Sequence, residues 1–334
     1  MNRRNFLKTN ALGAIGLIFA NKTQAQTGIK QTSAEIKTAG IKMISIDGGK
    51  FRVWTKRVGS GKTKMLLLHG GPGATHEYFE CFEDFLPPEG VEFYYYDQLG
   101  SHYSDQPTDT NLWTIPRFVE EVEQVRKGLG LDNFYLLGHS WGGMLGIEYA
   151  LKYQQHLKGF VLSNMTAGIA SYVKYANELK KQLPKDAIAI LDKYEAKGDY
   201  ENPEYQQVMF GQIYAKHICR INPFPEPIDR AFRHLNAQVY NTMQGPNEFV
   251  ITGNFKDWDR WQDLPKIKTP ALVLGARYDE MNPADIRREA ELIPNARLAM
   301  CENGSHMAMW DDQQTYFNHL IKFLKDNERG VKMR

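Results

Sequence analysis

The sequence predicts an α/β protein: a mostly parallel, eight-stranded sheet with helices on both faces and an inserted helical cap. Three observations predict it. Eight apolar runs of strand length recur along the chain, several of them continuous rather than alternating, as strands buried on both faces are. Helix-period stretches lie between them, notably at 115–129 and 144–153, and that alternation argues a sheet covered by helices. From about 165 to 257 the strand signal disappears. Helix-like segments rich in Tyr, Lys and Gln replace it, broken by Pro184, Pro203, Pro223, Pro225 and Pro227.

Composition narrows the function classes. Of 334 residues, 42% are apolar and 24% charged, which suits a globular chain and not a disordered one. Lys and Arg number 41 against 39 Asp and Glu, so no basic surplus points to nucleic acid. No apolar run approaches the ~20 residues of a membrane-spanning helix. Cys81, Cys219 and Cys301 are too few and too scattered for a disulfide scaffold or a zinc site, and read as small buried hydrophobes.

In chain order, residues 1–25 read as an export signal. Arg3, Arg4 and Lys8 precede the mildly apolar stretch 11–20, a polar segment ends in the small Ala25, and no acid occurs before Glu35. A charged start, a short apolar stretch and a small residue at the cut describe such a signal, and the Arg-Arg pair followed by Phe-Leu-Lys resembles the twin-arginine type. The expectation is a periplasmic or secreted protein with no membrane span once the signal is removed. Residues 26–164 form the first part of the core, with strands at 42–47, 51–57, 65–69, 91–96, 134–138 and 160–163. The cap occupies 165–257. Residues 258–334 complete the core, with strands at 271–275 and 297–301.

The most informative segment is Gly138-His139-Ser140-Trp141-Gly142-Gly143, placed between a buried strand and a helix. Gly-x-Ser-x-Gly in that setting is the nucleophile elbow of a hydrolase. Its serine sits on a sharp turn with Oγ lifted clear of the sheet, and glycines flank it because side chains there would clash. Upstream, Met65-Leu-Leu-Leu-His69-Gly70-Gly71-Pro72-Gly73 is a strand ending in a Gly-rich turn. Such a turn presents a backbone N–H, here that of Gly71, to the oxygen of a tetrahedral intermediate, with Trp141 after the nucleophile as second donor.

These two turns, with Asp97-Gln98-Leu99-Gly100-Ser101 after a strand, resemble the proline iminopeptidases, serine exopeptidases of the α/β-hydrolase fold. The resemblance runs from about 44 to 324. It includes 245–253 and Tyr278-Asp279-Glu280, which resemble the branch related to the archaeal tricorn-interacting aminopeptidase. One departure is Ser101-His102-Tyr103-Ser104, where the family usually continues with Ser-Gly or Cys-Gly and a basic residue; the loop bordering the site is expected to differ in shape.

An elbow serine is followed in chain order by an acid and then a histidine. Beyond the cap only His306 and His319 remain. His306 lies in the loop after the last strand, whereas His319 falls within a helix-like stretch, so His306 is the expected base. Asp279 follows the strand 271–275 in a turn, where open α/β sheets keep functional groups, and is the expected acid. With Ser140 they form a triad that needs no metal or organic cofactor.

A triad says nothing of substrate. In the family resembled, glutamates at the positions of Glu248 and Glu280 clamp the free amine of the substrate, and Tyr240 matches a position beside it. On the residues alone, glutamates in turns are ordinarily solvated. The resemblance thus implies a prolyl aminopeptidase whose partners are short peptides with a free N-terminus. An L-amino-acid amidase, or a general esterase or lactonase, is the alternative reading of the same triad. A non-catalytic receptor on a hydrolase scaffold is a third, disfavoured because every triad member is present. The pocket is expected to have aromatic walls from Trp141 and the cap, with Tyr205, Phe210, Tyr214, Tyr240 and Phe249 as open candidates.

Overall fold

The computed structural model describes residues 38–333; the expected export signal lies outside them. The strands are β1 (Ile41–Ile46), β2 (Phe51–Val58), β3 (Thr63–Leu68), β4 (Val91–Tyr96), β5 (Phe134–His139), β6 (Leu157–Ser163), β7 (Ala271–Ala276) and β8 (Ala296–Cys301). They form one sheet in the order β1-β2-β4-β3-β5-β6-β7-β8. β1 and β2 pair antiparallel, as do β2 and β4; every later pairing is parallel.

Burial explains the patterns in the sequence. β4, β5 and β7 are buried at every position, so both faces demand apolar residues and no alternation survives. β1, at the sheet edge, buries only Ile44 and Ile46. Helices cover the sheet, among them Ile115–Leu129, Trp141–Tyr153, Pro283–Leu292 and Gln313–Glu328. No helix among the described residues is long and apolar enough to cross a membrane. All three cysteines are buried and free.

Between β6 and β7 the chain leaves the sheet. It builds the helices Ile169–Lys180, Lys185–Glu195, Pro203–Val208, Glu226–Arg233 and Ala237–Met243, and a π-helical turn at Met209–Tyr214. Four of the five prolines that interrupt the sequence pattern are at helix starts, while Pro223 lies in a bend. Pro184 and Pro225 occupy N-cap positions, while Pro203 and Pro227 sit in first turns, where a missing N–H costs no hydrogen bond.

Two strands position the chemistry. The chain lays down β3 and β4 side by side and then crosses to place β5 on the other side of β3, so Leu68 pairs with Gly138 at the ends of neighbouring strands. The turns that follow β3 and β5 are therefore adjacent, at the carboxyl edge where parallel sheets form their crevices.

The helix after β5 starts at Trp141, earlier than the helical pattern from 144 suggests. Gly142 and Gly143 have poor helix propensity and obscure the start; close packing imposes them. A Cβ on Gly142 would lie 2.0 Å from the Leu68 carbonyl oxygen, and one on Gly138 would lie 2.0 Å from the Gly142 carbonyl oxygen. Backbone cannot yield as a flexible side chain would. Gly142→Ala should therefore cost about 1–3 kcal/mol or more and lower Tm by several degrees in thermal unfolding; an unchanged Tm would show that the contact is not tight.

Candidate active site

Ser140 sits between β5 and the helix with φ 56° and ψ −130°, a left-handed conformation that is strained for a residue with a side chain. It is held there by its N–H, which donates to the Ser163 carbonyl at 3.1 Å, and by its own carbonyl, which accepts from Gly143 N–H at 2.7 Å. Trp141 begins the helix, so its N–H has no intrahelical acceptor. Ser140, Gly71 and His306 line one cavity of about 290 Å³.

Asp279 and His306 come together as expected. His306 Nδ1 lies 2.9 Å from Asp279 Oδ1. The same carboxylate accepts Met281 N–H at 3.0 Å and Asn164 Nδ2–H at 2.7 Å. Asn164, just past β6 with φ 53°, carried no sequence signal, because its role depends on β6 and β7 being neighbours. Burial pushes the His306 imidazolium down. The Asp279 charge and hydrogen bond, with the Glu248 charge behind them, outweigh it and hold the pKa above the ordinary 6.5. The base loop is pinned by the cap: His306 N–H donates to the His217 carbonyl at 2.9 Å and Met307 N–H to that of Ile218 at 2.8 Å.

The turn after β3 is clamped on several sides. Gln98 N–H donates to His69 Nε2 at 3.1 Å, so the hydrogen of the neutral ring sits on Nδ1 and points at the Gly70 carbonyl, 2.8 Å away. Gln98 also donates from its amide to the His69 carbonyl and accepts from Trp141 Nε1 at 2.8 Å, joining the turn to the elbow. That bond corrects the expectation of Trp141 as a pocket wall. Its indole is turned into the core, stacked on Phe255 with centroids 5.9 Å apart, and does not line the cavity. Of the cap aromatics left open, Phe210, Tyr214 and Tyr240 line the cavity; Tyr205 and Phe249 do not.

Glu248 and Glu280 are not solvated turn residues. Glu280 is fully buried, and its Oε1 lies 3.0 Å from Tyr172 Oη and 4.0 Å from His306 Nε2. Its Oε2 has no partner among the described residues. Glu248 accepts from Tyr240 Oη at 2.5 Å and from Gln244 Nε2 at 3.0 Å, and Tyr172 Oη, which donates to the Glu248 main-chain carbonyl at 2.6 Å, lies 3.2 Å from its carboxylate. Burial raises the pKa of both glutamates; for Glu280 the charges of Glu248 and Asp279 raise it further. Tyr172, which bridges the two glutamates, is a residue that sequence reasoning missed: a tyrosine in a cap helix looks like core. No cluster of His, Cys, Asp or Glu suited to a metal ion occurs among the described residues.

The departing loop after Gly100 is bonded to its surroundings. Tyr103 Oη donates to Glu77 at 2.7 Å, and the His102 ring stacks on His234 of the cap at 3.8 Å.

A serine on a strained elbow, a histidine paired with a buried aspartate and a turn beside them define a serine hydrolase of the α/β type. The family pattern described as alpha/beta hydrolase fold matches residues 64–313. The proline iminopeptidase of Elizabethkingia meningoseptica is 53% identical over 283 residues, 83% of this chain and 95% of the relative. Among solved structures, VinJ is 33% identical with a TM-score of 0.82, over 86% of this chain and 98% of VinJ. The proline iminopeptidase of Mycobacterium smegmatis is 29% identical with a TM-score of 0.80, over 87% and 99%. The chain belongs to the proline iminopeptidase family of α/β hydrolases.

The environment of His306 has a direct readout. In an NMR titration its imidazole should protonate with a midpoint above 6.5. Asp279→Asn, which removes the largest stabilising charge and leaves burial opposed only by the weaker effects of Glu248 and Asp311, should move the midpoint down. A midpoint unmoved by the substitution would contradict the pairing.

Proposed function

We propose that the protein is a serine aminopeptidase that releases the N-terminal residue, preferentially proline, from short peptides. Ser140 Oγ attacks the scissile carbonyl as His306 takes its proton, and the oxyanion is met by the N–H groups of Gly71 and Trp141. His306 then gives the proton to the leaving amine while Asp279 holds the ring and stabilises its charge. Water repeats the cycle on the acyl-enzyme.

The observation that carries the substrate class is the Glu280 carboxylate, buried beside His306 with one oxygen unpartnered and Glu248 joined to it through Tyr172. Two carboxylates this close, Glu280 buried and Glu248 half-buried, are unfavourable without a cation. A substrate ammonium supplies the missing charge and donors, and does so one residue from the scissile bond. Tyr240 orients Glu248 for that contact. The amine end is polar, while Ile228, Phe232, Leu235 and Phe210 give the rest of the cavity an apolar wall suited to a proline ring or an apolar neighbour. The glutamate segments also support placement in the branch related to the tricorn-interacting aminopeptidase. An amidase acting on free amino acid amides would use the same clamp, and the leaving group alone separates the two.

With proline β-naphthylamide as substrate, N-acetylation should abolish turnover, as should Ser140→Ala. Glu248→Gln or Glu280→Gln should each lower kcat/KM about 10–100-fold, the worth of a hydrogen bond to a charged group. Equal rates on the free and acetylated substrates would overturn the amine clamp.

We also infer that the chain is exported. The paired arginines, short apolar stretch and Ala25 support a signal removed after that residue. Sequencing the protein from the extracytoplasmic fraction of its source cells should then find a chain beginning at Gln26; an unprocessed chain confined to the cytoplasm would overturn this.

A further inference from the structure

We propose that Tyr78 and His139 form a hydrogen-bonded relay that fixes the oxyanion turn relative to the loop carrying His306, and so act as positioning residues for the reaction. The inference deepens the proposed function and rests on its assignment of Ser140 as nucleophile.

The directions of the bonds make the case. The His306 carbonyl oxygen can only accept, so His139 Nε2, 2.9 Å away, carries its hydrogen. A neutral imidazole then leaves Nδ1 bare, and Tyr78 Oη, 3.2 Å from it, donates there. With its proton so committed, the phenol oxygen accepts Gly70 N–H at 2.6 Å. One set of directions satisfies all three contacts, and it requires an uncharged His139 and an intact phenol. The surroundings enforce both: burial, then the neighbouring His306, holds the His139 pKa well below the usual histidine value, and burial pushes the Tyr78 phenol far up.

The relay joins the pieces that must be in register at the moment of attack. Gly70 N–H is taken by Tyr78 and the Gly70 carbonyl by His69. The peptide unit that bears Gly71 N–H is thereby held at its carbonyl and the unit before it at its N–H, with the Gly71 N–H left for the substrate oxygen. A Cβ on Gly70 would lie 3.3 Å from both Ser140 Oγ and Tyr78 Oη, so the relay passes alongside the nucleophile. At the far end His139 holds the backbone of His306 itself. Trp310 Nε1 donates to the Tyr78 carbonyl at 2.7 Å, a second tie between Tyr78 and the segment after the base. Position 139 lies inside the Gly-x-Ser-x-Gly pattern at the place the pattern leaves free, so the motif by itself assigns this histidine nothing.

The test compares Tyr78→Phe, His139→Leu, His139→Gln and the Tyr78→Phe/His139→Leu double variant, with Tm recorded for each. Two readouts are taken: kcat and KM on proline β-naphthylamide, and the rate at which a fluorophosphonate labels Ser140. Tyr78→Phe and His139→Leu should each lower kcat and the labelling rate about 10–100-fold, somewhat less than loss of an oxyanion donor, with KM little changed. The double variant should fall no further than the slower single, because both break one chain of bonds. His139→Gln, whose amide can still donate to the His306 carbonyl, should recover part of the loss. Single variants as fast as the wild type, losses confined to KM, or losses that multiply in the double variant would each overturn the relay. A wild-type chain that labels but does not cleave the prolyl substrate would refute the aminopeptidase reading alone, since the labelling rates still judge the relay. A wild-type chain that does not label would overturn both.

Discussion

The site depends on one close contact, the approach of the helix that begins at Trp141 to the ends of β3 and β5. Gly138 and Gly142 let backbone meet backbone there, where any Cβ would fall 2.0 Å from a carbonyl oxygen. That closeness lifts Ser140 above the sheet at φ 56°, aims the helix start at the cavity and sets the Gly70–Gly71 turn beside it. Strain at Ser140 is sustained because the hydrogen bonds to Ser163 and Gly143 over-determine its position. The remaining groups of the site are placed relative to this point.

Electrostatics then divides the site into two ends. Asp279, Glu280 and Glu248 bring three carboxyl groups into a buried region whose nearest charge partner is His306. Asp279 is fully engaged with His306, Asn164 and Met281, so its part is fixed before substrate arrives. The side chains within hydrogen-bond distance of the two glutamate carboxyls among the described residues, Tyr172, Tyr240 and Gln244, are neutral. Burial raises the pKa of both, and the charges of Glu248 and Asp279 raise that of Glu280 further; in the proposed function a cationic amine reverses that balance. Hydrogen bonds place the carboxyl groups in the folded chain, and in the proposed function the substrate amine neutralises them.

The cap is part of the catalytic geometry as well as a cover. It supplies Glu248, Tyr240 and Tyr172, and its His217 and Ile218 carbonyls hold the backbone of the base loop. The unusual Ser101–Ser104 loop reaches the same insertion through the stacked pair His102 and His234 and the buried Glu77. Movement of the cap would therefore disturb the base as well as the pocket.

Much of this was legible in the chain. Continuous apolar runs marked the buried strands, because burial on both faces leaves no alternation. The elbow and Gly-rich turn were legible because steric closeness permits only glycine, and Asp279 and His306 because they follow the last two strands in a required order. Only the folded chain could decide the rest, since those contacts join residues far apart in sequence. Asn164 reaches Asp279 across 115 positions and Tyr172 reaches Glu280 across 108. The Trp141 ring, which looked like a pocket wall, is drawn into the core by Gln98 and Phe255. Local sterics and burial periodicity act within a few residues and so are written in the sequence; hydrogen-bond partners of buried polar groups are set by packing, which exists only once the strands have been ordered.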